Sequence, residues 1–147
     1  MTRHGTGLIL AIIGGVWSPL TAAWAGESEI AEGRRLFIEH CDTCHGVITT
    51  DPDYVIARLS SARLHLAMAP PYGPNLTGVI DREAGTVPDY DYSTEFERYV
   101  GDVIWEPETL DAWITDTQAV APGTRMYFRQ KDEAVRQRII DYLVAYD

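Results

Sequence analysis

Two cysteines and a histidine stand together in Cys41-Asp42-Thr43-Cys44-His45, and no other cysteine occurs in the 147 residues. Thiols three positions apart can add to the two vinyl groups of one haem, and the histidine directly after them is placed to put a ring nitrogen on the iron. A structural disulfide and half of a zinc site are the other uses of such a pair. Zinc would need four N or S ligands, and no second Cys/His pair follows at suitable spacing; a bare C-x-x-C redox site usually accompanies a β-α-β pattern, which is missing here. The motif therefore predicts one covalent haem c, held through Cys41 and Cys44, with His45 on the metal.

An iron held on one side by His45 either takes a second protein ligand and moves electrons, or keeps an open position and binds or activates small molecules. Three methionines exist, at 1, 68 and 126. Met68 ends an apolar stripe and reads as packing. Met126 follows Pro122-Gly123-Thr124-Arg125, where proline and glycine can hold an extended turn that pushes a soft thioether inward. The turn favours Met126, and Met68 stays open.

The elements that must position these groups are helical. Ile30, Gly33, Phe37 and Cys41 recur at three- and four-residue steps, so a helix with Ser28 as its cap leads into the cysteines. Asp51-Pro52 reads as a cap and first turn, followed by Val55, Leu59, Ala62 and Leu66 on one face until Pro70-Pro71, which predicts a second helix over 51–68. Residues 72–104 are rich in Gly, Pro, Asp and Tyr with no sustained period, and are expected to be irregular loops wrapped over a bound cofactor. Pro107 opens a short helix carrying Leu110, Trp113 and Ile114. Val135, Ile139, Tyr142, Leu143 and Tyr146 mark a longer C-terminal one. No strand pattern competes.

The first 25 residues have their own composition: Arg3, an apolar run over 8–17, Pro19, and Ala23-Trp24-Ala25, with no acid before Glu27. The run is about half of the roughly 20 residues needed to span a bilayer, and the ending is a small-x-small cleavage pattern. This predicts a secretory signal at 1–25 and a single domain at 26–147; an uncleaved anchor is the alternative. The formal charge is −10 from 22 acids and 12 bases, and loss of Arg3 with the signal takes it to −11. Lys131 is the only lysine. Such a charge argues against nucleic acid and anionic lipid as partners, because both are gripped by Lys and Arg on phosphate. His65 and His40 read as solvated or half-buried rather than as ligands. Asp51, Asp53, Asp89, Asp91, Glu95 and Glu97 lack the spacing of a calcium loop and read as a solvated acidic face.

With the motifs in place, the chain resembles the class I cytochromes c of the mitochondrial cytochrome c and bacterial cytochrome c2 branch over most of residues 33–143. Gly33 and Phe37 correspond to the helix residues that cross a C-terminal helix, here Ile139, Tyr142 and Leu143. Gly73-Pro74-Asn75-Leu76-Thr77-Gly78 is similar to a loop whose proline carbonyl accepts from the proximal histidine, which implies a bond from His45 to Pro74. Arg82, Tyr92 and Trp105 match the residues around a haem propionate. Pro122-Gly123-Thr124-Arg125-Met126 matches the ligand loop, which implies Met126 as the sixth ligand. Four features depart from the family: 27 residues separate His45 from Gly73, a small insertion lies near Phe96, Trp113 replaces a tyrosine beside the methionine sulfur, and the docking lysines are missing.

The resemblance implies an all-α monohaem fold with crossed terminal helices and an extra helix after the haem motif. It implies an electron carrier and not an enzyme; together with the signal, the expectation is a monomeric periplasmic protein with no stable membrane insertion once the signal is gone. Electrons would pass from a periplasmic dehydrogenase or quinol-oxidising complex to an oxidase or other acceptor, through partners with a basic docking face. A dedicated haem subunit of a dehydrogenase and an open-site haem enzyme or gas sensor are the competing functions.

Overall fold

The computed structural model describes residues 20–60 and 72–147. The expected alternative ligands His65 and Met68, the stripe positions Ala62 and Leu66, and most of the expected signal lie outside them. Seven helices occur among the described residues: α1 Leu20–His40, α2 Asp42–His45, α3 Pro52–Ser60, α4 Thr94–Val100, α5 Pro107–Thr115, α6 Thr117–Val120 and α7 Glu133–Ala145. No strand is found there, only one antiparallel bridge between Glu83 and Ile104. No described helix is long and apolar enough to cross a membrane.

The crossing of α1 and α7 is the centre of the frame. A Cβ on Gly33 would run into the Arg138 carbonyl and lie 2.8 Å from Tyr142 Cβ, so only glycine lets the two backbones come this close. One turn on, Phe37 is fully buried and its ring centroid lies 5.4 Å from that of Tyr142. Ile139, Ile140 and Leu143 bury the same face of α7. Asp132 caps α7 by accepting from the Ala134 and Val135 amides, and Arg136 ties it to α5 through both oxygens of Asp111, at 2.8 and 3.3 Å.

Four expectations are corrected. Ser28 does not cap α1, because it lies inside the helix, whose described residues run from Leu20. On α3 the buried position is Tyr54, whereas Val55 is only half-buried, because Tyr54 meets Phe37 edge-on at 6.4 Å. Residues 72–104 are not wholly irregular. Ser93 accepts from the Phe96 amide and starts α4, which buries Phe96 and Val100, an i,i+4 pair too short to register as a period.

The fourth correction concerns Asp51, which is not part of a solvated acidic face. It is fully buried and accepts from Arg34 Nε at 2.6 Å, Arg34 Nη2 at 3.0 Å, the Tyr142 hydroxyl at 2.8 Å and the Tyr54 amide at 3.1 Å. The last of these is its expected service to the start of α3. The other three join α3 to α1 and α7 at their crossing, so a single carboxylate fastens three helices. Thr50 adds a bond from its hydroxyl to the Tyr146 carbonyl.

Candidate haem site

The two cysteines sit on one extra helical turn that continues α1: Cys41 N donates to Phe37 O at 2.8 Å, and the Cys44 and His45 amides both donate to Cys41 O, at 3.1 and 3.0 Å. Helical spacing puts residues three apart on one face, so both thiols border the same cavity. Neither cysteine is in a disulfide. Burial, with Cys44 and Asp42 nearby, pushes the Cys41 thiol up to about 12. Asp42, between the cysteines, is itself buried and paired with Arg58 of α3 at 3.1 Å, so the inserted helix also grips the motif.

His45 is buried. Its Nδ1 lies 2.7 Å from the Pro74 carbonyl oxygen, which can only accept. The proton is therefore on Nδ1, and the Nε2 lone pair is the one left for a metal. Burial holds the imidazole below its usual protonation range, with the Pro74 bond opposing it in part, so the ring is neutral and able to ligate. Gly73 makes this bond possible: a Cβ there would stand 2.6 Å from His45 Cε1 and 2.7 Å from Nδ1. The Gly73 amide donates to Cys44 O at 2.8 Å, which brings the loop and the motif together. Asn75 continues the seam, donating to Val47 O at 2.9 Å and accepting from the Thr77 amide at 2.9 Å.

Arg82 and Trp105 reach the same cavity without a helix under either. Trp105 N donates to Arg82 O at 3.0 Å, Asp81 N to Trp105 O at 3.2 Å and Ala84 N to Val103 O at 2.8 Å, so a short antiparallel seam fixes the pair. The Arg82 guanidinium donates to Thr77 O at 3.0 Å and Asn75 O at 3.2 Å, and its burial lowers its pKa. Tyr92 stacks on Phe96 at 4.8 Å, and burial raises its phenol. Trp113 meets Phe96 edge-on at 5.7 Å and Trp105 at 5.8 Å.

Met126 is half-buried and borders the cavity. Its loop lies along α6: the Thr117 hydroxyl donates to Met126 O at 2.6 Å, and the Gln118 side-chain amide donates to Thr124 O at 2.9 Å and Met126 O at 3.1 Å while accepting from the Gly123 amide at 3.0 Å. Sequence reading missed Thr117 and Gln118 because a hydroxyl and an amide on a four-residue helix leave no pattern. His40 is half-buried, as expected from the sequence, and lies edge-on to Phe128 at 6.4 Å where it also lines the cavity.

The resulting cavity is about 230 Å³ and brings together Cys41, Cys44, His45, Pro74, Arg82, Tyr92, Trp105 and Met126. These donors fit a haem c: two free thiols, a neutral imidazole whose tautomer exposes Nε2, a thioether, a half-buried cation, Arg82, for a carboxylate, and aromatic walls for a flat apolar ring.

No protein-family model matches the chain. It is similar to the cytochrome c type-1 of Ascaris suum, 30% identical over 120 residues that make up 80% of this chain and 88% of that protein. The cytochrome c-type cyt cy of Rhodobacter capsulatus is 43% identical over 72 residues, 48% of this chain and 35% of that longer protein. The cytochrome c2 of Rhodopila globiformis is 39% identical over 72 residues, 48% of this chain and 66% of that one. On these likenesses, and on a helical fold built around a cavity with thiol and imidazole donors, the chain belongs to the class I cytochromes c, single-electron carriers with one covalently bound haem c and not enzymes.

Proposed function

We propose that this cytochrome is exported to the periplasm and there carries single electrons between redox proteins, with Cys41 and Cys44 as the residues that would hold the haem and His45 and Met126 as those that would ligate its iron. The observation that carries the reading is that His45, with its Nδ1 engaged by Pro74, and Met126, with its backbone held by α6, border one cavity. Haem iron supplies the one-electron couple between ferric and ferrous states, with no bond made or broken in a substrate. Pro74 keeps the His45 ring oriented and raises its basicity. Arg82, beside Tyr92 and Trp105, offsets a buried propionate charge. Phe96, Trp105, Trp113 and Leu143 keep water from the ring, which together with a thioether ligand favours the ferrous form and a high potential.

Export is supported by the composition of residues 1–25, and the −10 charge with a single lysine supports partners that present a basic face. An acidic carrier is steered to such a face by long-range attraction that salt screens over about 8–10 Å at moderate ionic strength. The electron-transfer rate with its donor is expected to fall as salt rises; a flat or rising rate in stopped flow rejects the basic-face partner.

The ligand set is tested by Met126→Ala. The variant is expected to lose the sulfur-to-iron charge-transfer band, to bind carbon monoxide in the ferrous form and to fall in potential, because a soft thioether prefers ferrous iron. A variant that keeps the band would sink Met126 as ligand. Mass spectrometry of the exported protein reads the other half: a chain beginning at Gly26 and heavier by one haem is expected, and haem extractable by acid acetone would reject covalent attachment.

A further inference from the structure

We infer that Thr117 and Gln118 are positioning residues for the sixth ligand, setting how firmly the Met126 thioether is kept on ferric iron; the inference rests on the reading of Met126 as that ligand. Around Met126 the loop exposes Pro122, Gly123 and Arg125 and buries Ala121 and Thr124. Arg125 is tied to Asp91, and the bonds that reach the Met126 backbone itself come from two adjacent side chains of α6. The Met126 carbonyl has two lone pairs and receives two donors, Thr117 Oγ1 at 2.6 Å and Gln118 Nε2 at 3.1 Å. Gln118 spends its second amide proton on Thr124 O at 2.9 Å, and its oxygen takes the Gly123 amide at 3.0 Å.

This arrangement fixes the amide orientation, because a flipped Gln118 would set its oxygen against two carbonyls and its protons against an N–H. The Thr117 hydroxyl is fully buried and has no water to turn to. Its one proton goes to Met126 O at 2.6 Å, nearer than Phe128 O at 3.1 Å; it accepts from the Phe128 amide at 3.1 Å, while Thr117 N donates to Phe128 O at 3.1 Å. The backbone of 123–128 is thus pinned at five polar atoms by two residues. α6 is itself secured at its start, where Asp116 accepts from the Ala119 amide at 3.1 Å and pairs with Arg129 at 3.1 Å.

The chemistry makes this pinning matter unequally in the two redox states. A thioether is a soft donor and holds ferrous iron better than ferric. In the ferric protein the sulfur is therefore the contact that yields, and whatever fixes its backbone decides when.

Imidazole added to the ferric holoprotein competes with the sixth ligand and reads this directly. Thr117→Val keeps the shape and removes the hydroxyl; Gln118→Ala removes three bonds at a half-buried position. Each is expected to bind imidazole about tenfold more tightly than the parent, the scale of one lost hydrogen bond. Each is also expected to lose the charge-transfer band at a lower temperature, with the ferrous spectrum unchanged, while Thr117→Ser restores parental behaviour. Should Thr117→Val fail to fold, Gln118→Ala alone carries the test. Parental imidazole affinity in the variants overturns the inference even if their melting points fall, because that pattern is stability without positioning. Loss of the band in Met126→Ala alongside it leaves the ligand reading standing, whereas a retained band in Met126→Ala removes that reading itself.

Discussion

The α1–α7–α3 corner and the walls of the cavity are built on different principles. The corner is complete in itself: Gly33 admits close contact, Phe37, Tyr54 and Tyr142 fill the space, and Asp51 finds all of its partners within the chain. The cavity walls come largely from segments with little regular structure. Gly73-Pro74, the Arg82–Trp105 seam and the Met126 loop are held by hydrogen bonds to backbone, while their aromatic faces turn to an apolar space. Bare, such a space forfeits dispersion and leaves apolar surface to water. The corner folds for its own sake, and the walls fold around what they hold.

The sharpest way to break this contrast is at Gly73. Gly73→Val would drive a side chain into the His45 ring, whose atoms lie 2.6 and 2.7 Å from where the Cβ would be. For the loop to move aside it would have to give up the Gly73 amide's bond to Cys44 O and the His45–Pro74 bond. The expected outcome is near-complete loss of low-spin holoprotein, read as the ratio of haem absorbance to protein in the exported fraction. Normal holoprotein yield would show that the wall is as adaptable as a loop on the surface.

Asp51→Asn probes the other region. It removes the charge facing Arg34, whose side chain is only 22% exposed, and weakens the acceptor for Tyr142. Breaking a buried pair in this way costs about 3 kcal/mol, seen in denaturant unfolding as a lower midpoint. The charge-transfer band and potential should stay at parental values. A shifted potential would mean that the corner and the cavity act as one unit.

How much of this could be read from sequence follows the same division. The haem motif was legible because a covalent reaction imposes a spacing on Cys41, Cys44 and His45, and the terminal helices were legible because Phe37, Ile139 and Leu143 recur with a helical period. Pro74, Arg82, Tyr92 and Trp105 have no period and came from resemblance alone. Asp51 was read correctly as a helix cap and wrongly as solvated: its other partners, Arg34 and Tyr142, are 17 and 91 residues away, and no local pattern reports a contact at that distance. α4 and the α6 side chains were missed because short segments carry too few residues to repeat.

The smallest effect separates the corner from the cavity by pH. Burial first, and then the bond to Asp51, hold the Tyr142 phenol above the ordinary value of 10; burial and Asp42 do the same for Tyr54. Above pH 10 the unfolded chain loses these protons while the folded chain keeps them. The folded state then binds more protons than the unfolded one, so stability falls as pH rises from there and is fully present below it. Tyr142→Phe removes one of the two groups and should flatten that fall. At neutral pH it gives up one hydrogen bond and leaves Asp51 with Arg34 and the Tyr54 amide, a loss of about 1 kcal/mol. Thermal melts followed by far-ultraviolet circular dichroism between pH 8 and about 11.5 measure both. The variant should start lower than the parent and approach it as the pH climbs. Parallel curves would mean that Tyr142 does not carry the alkaline loss, which then belongs to Tyr54 or to the cavity side.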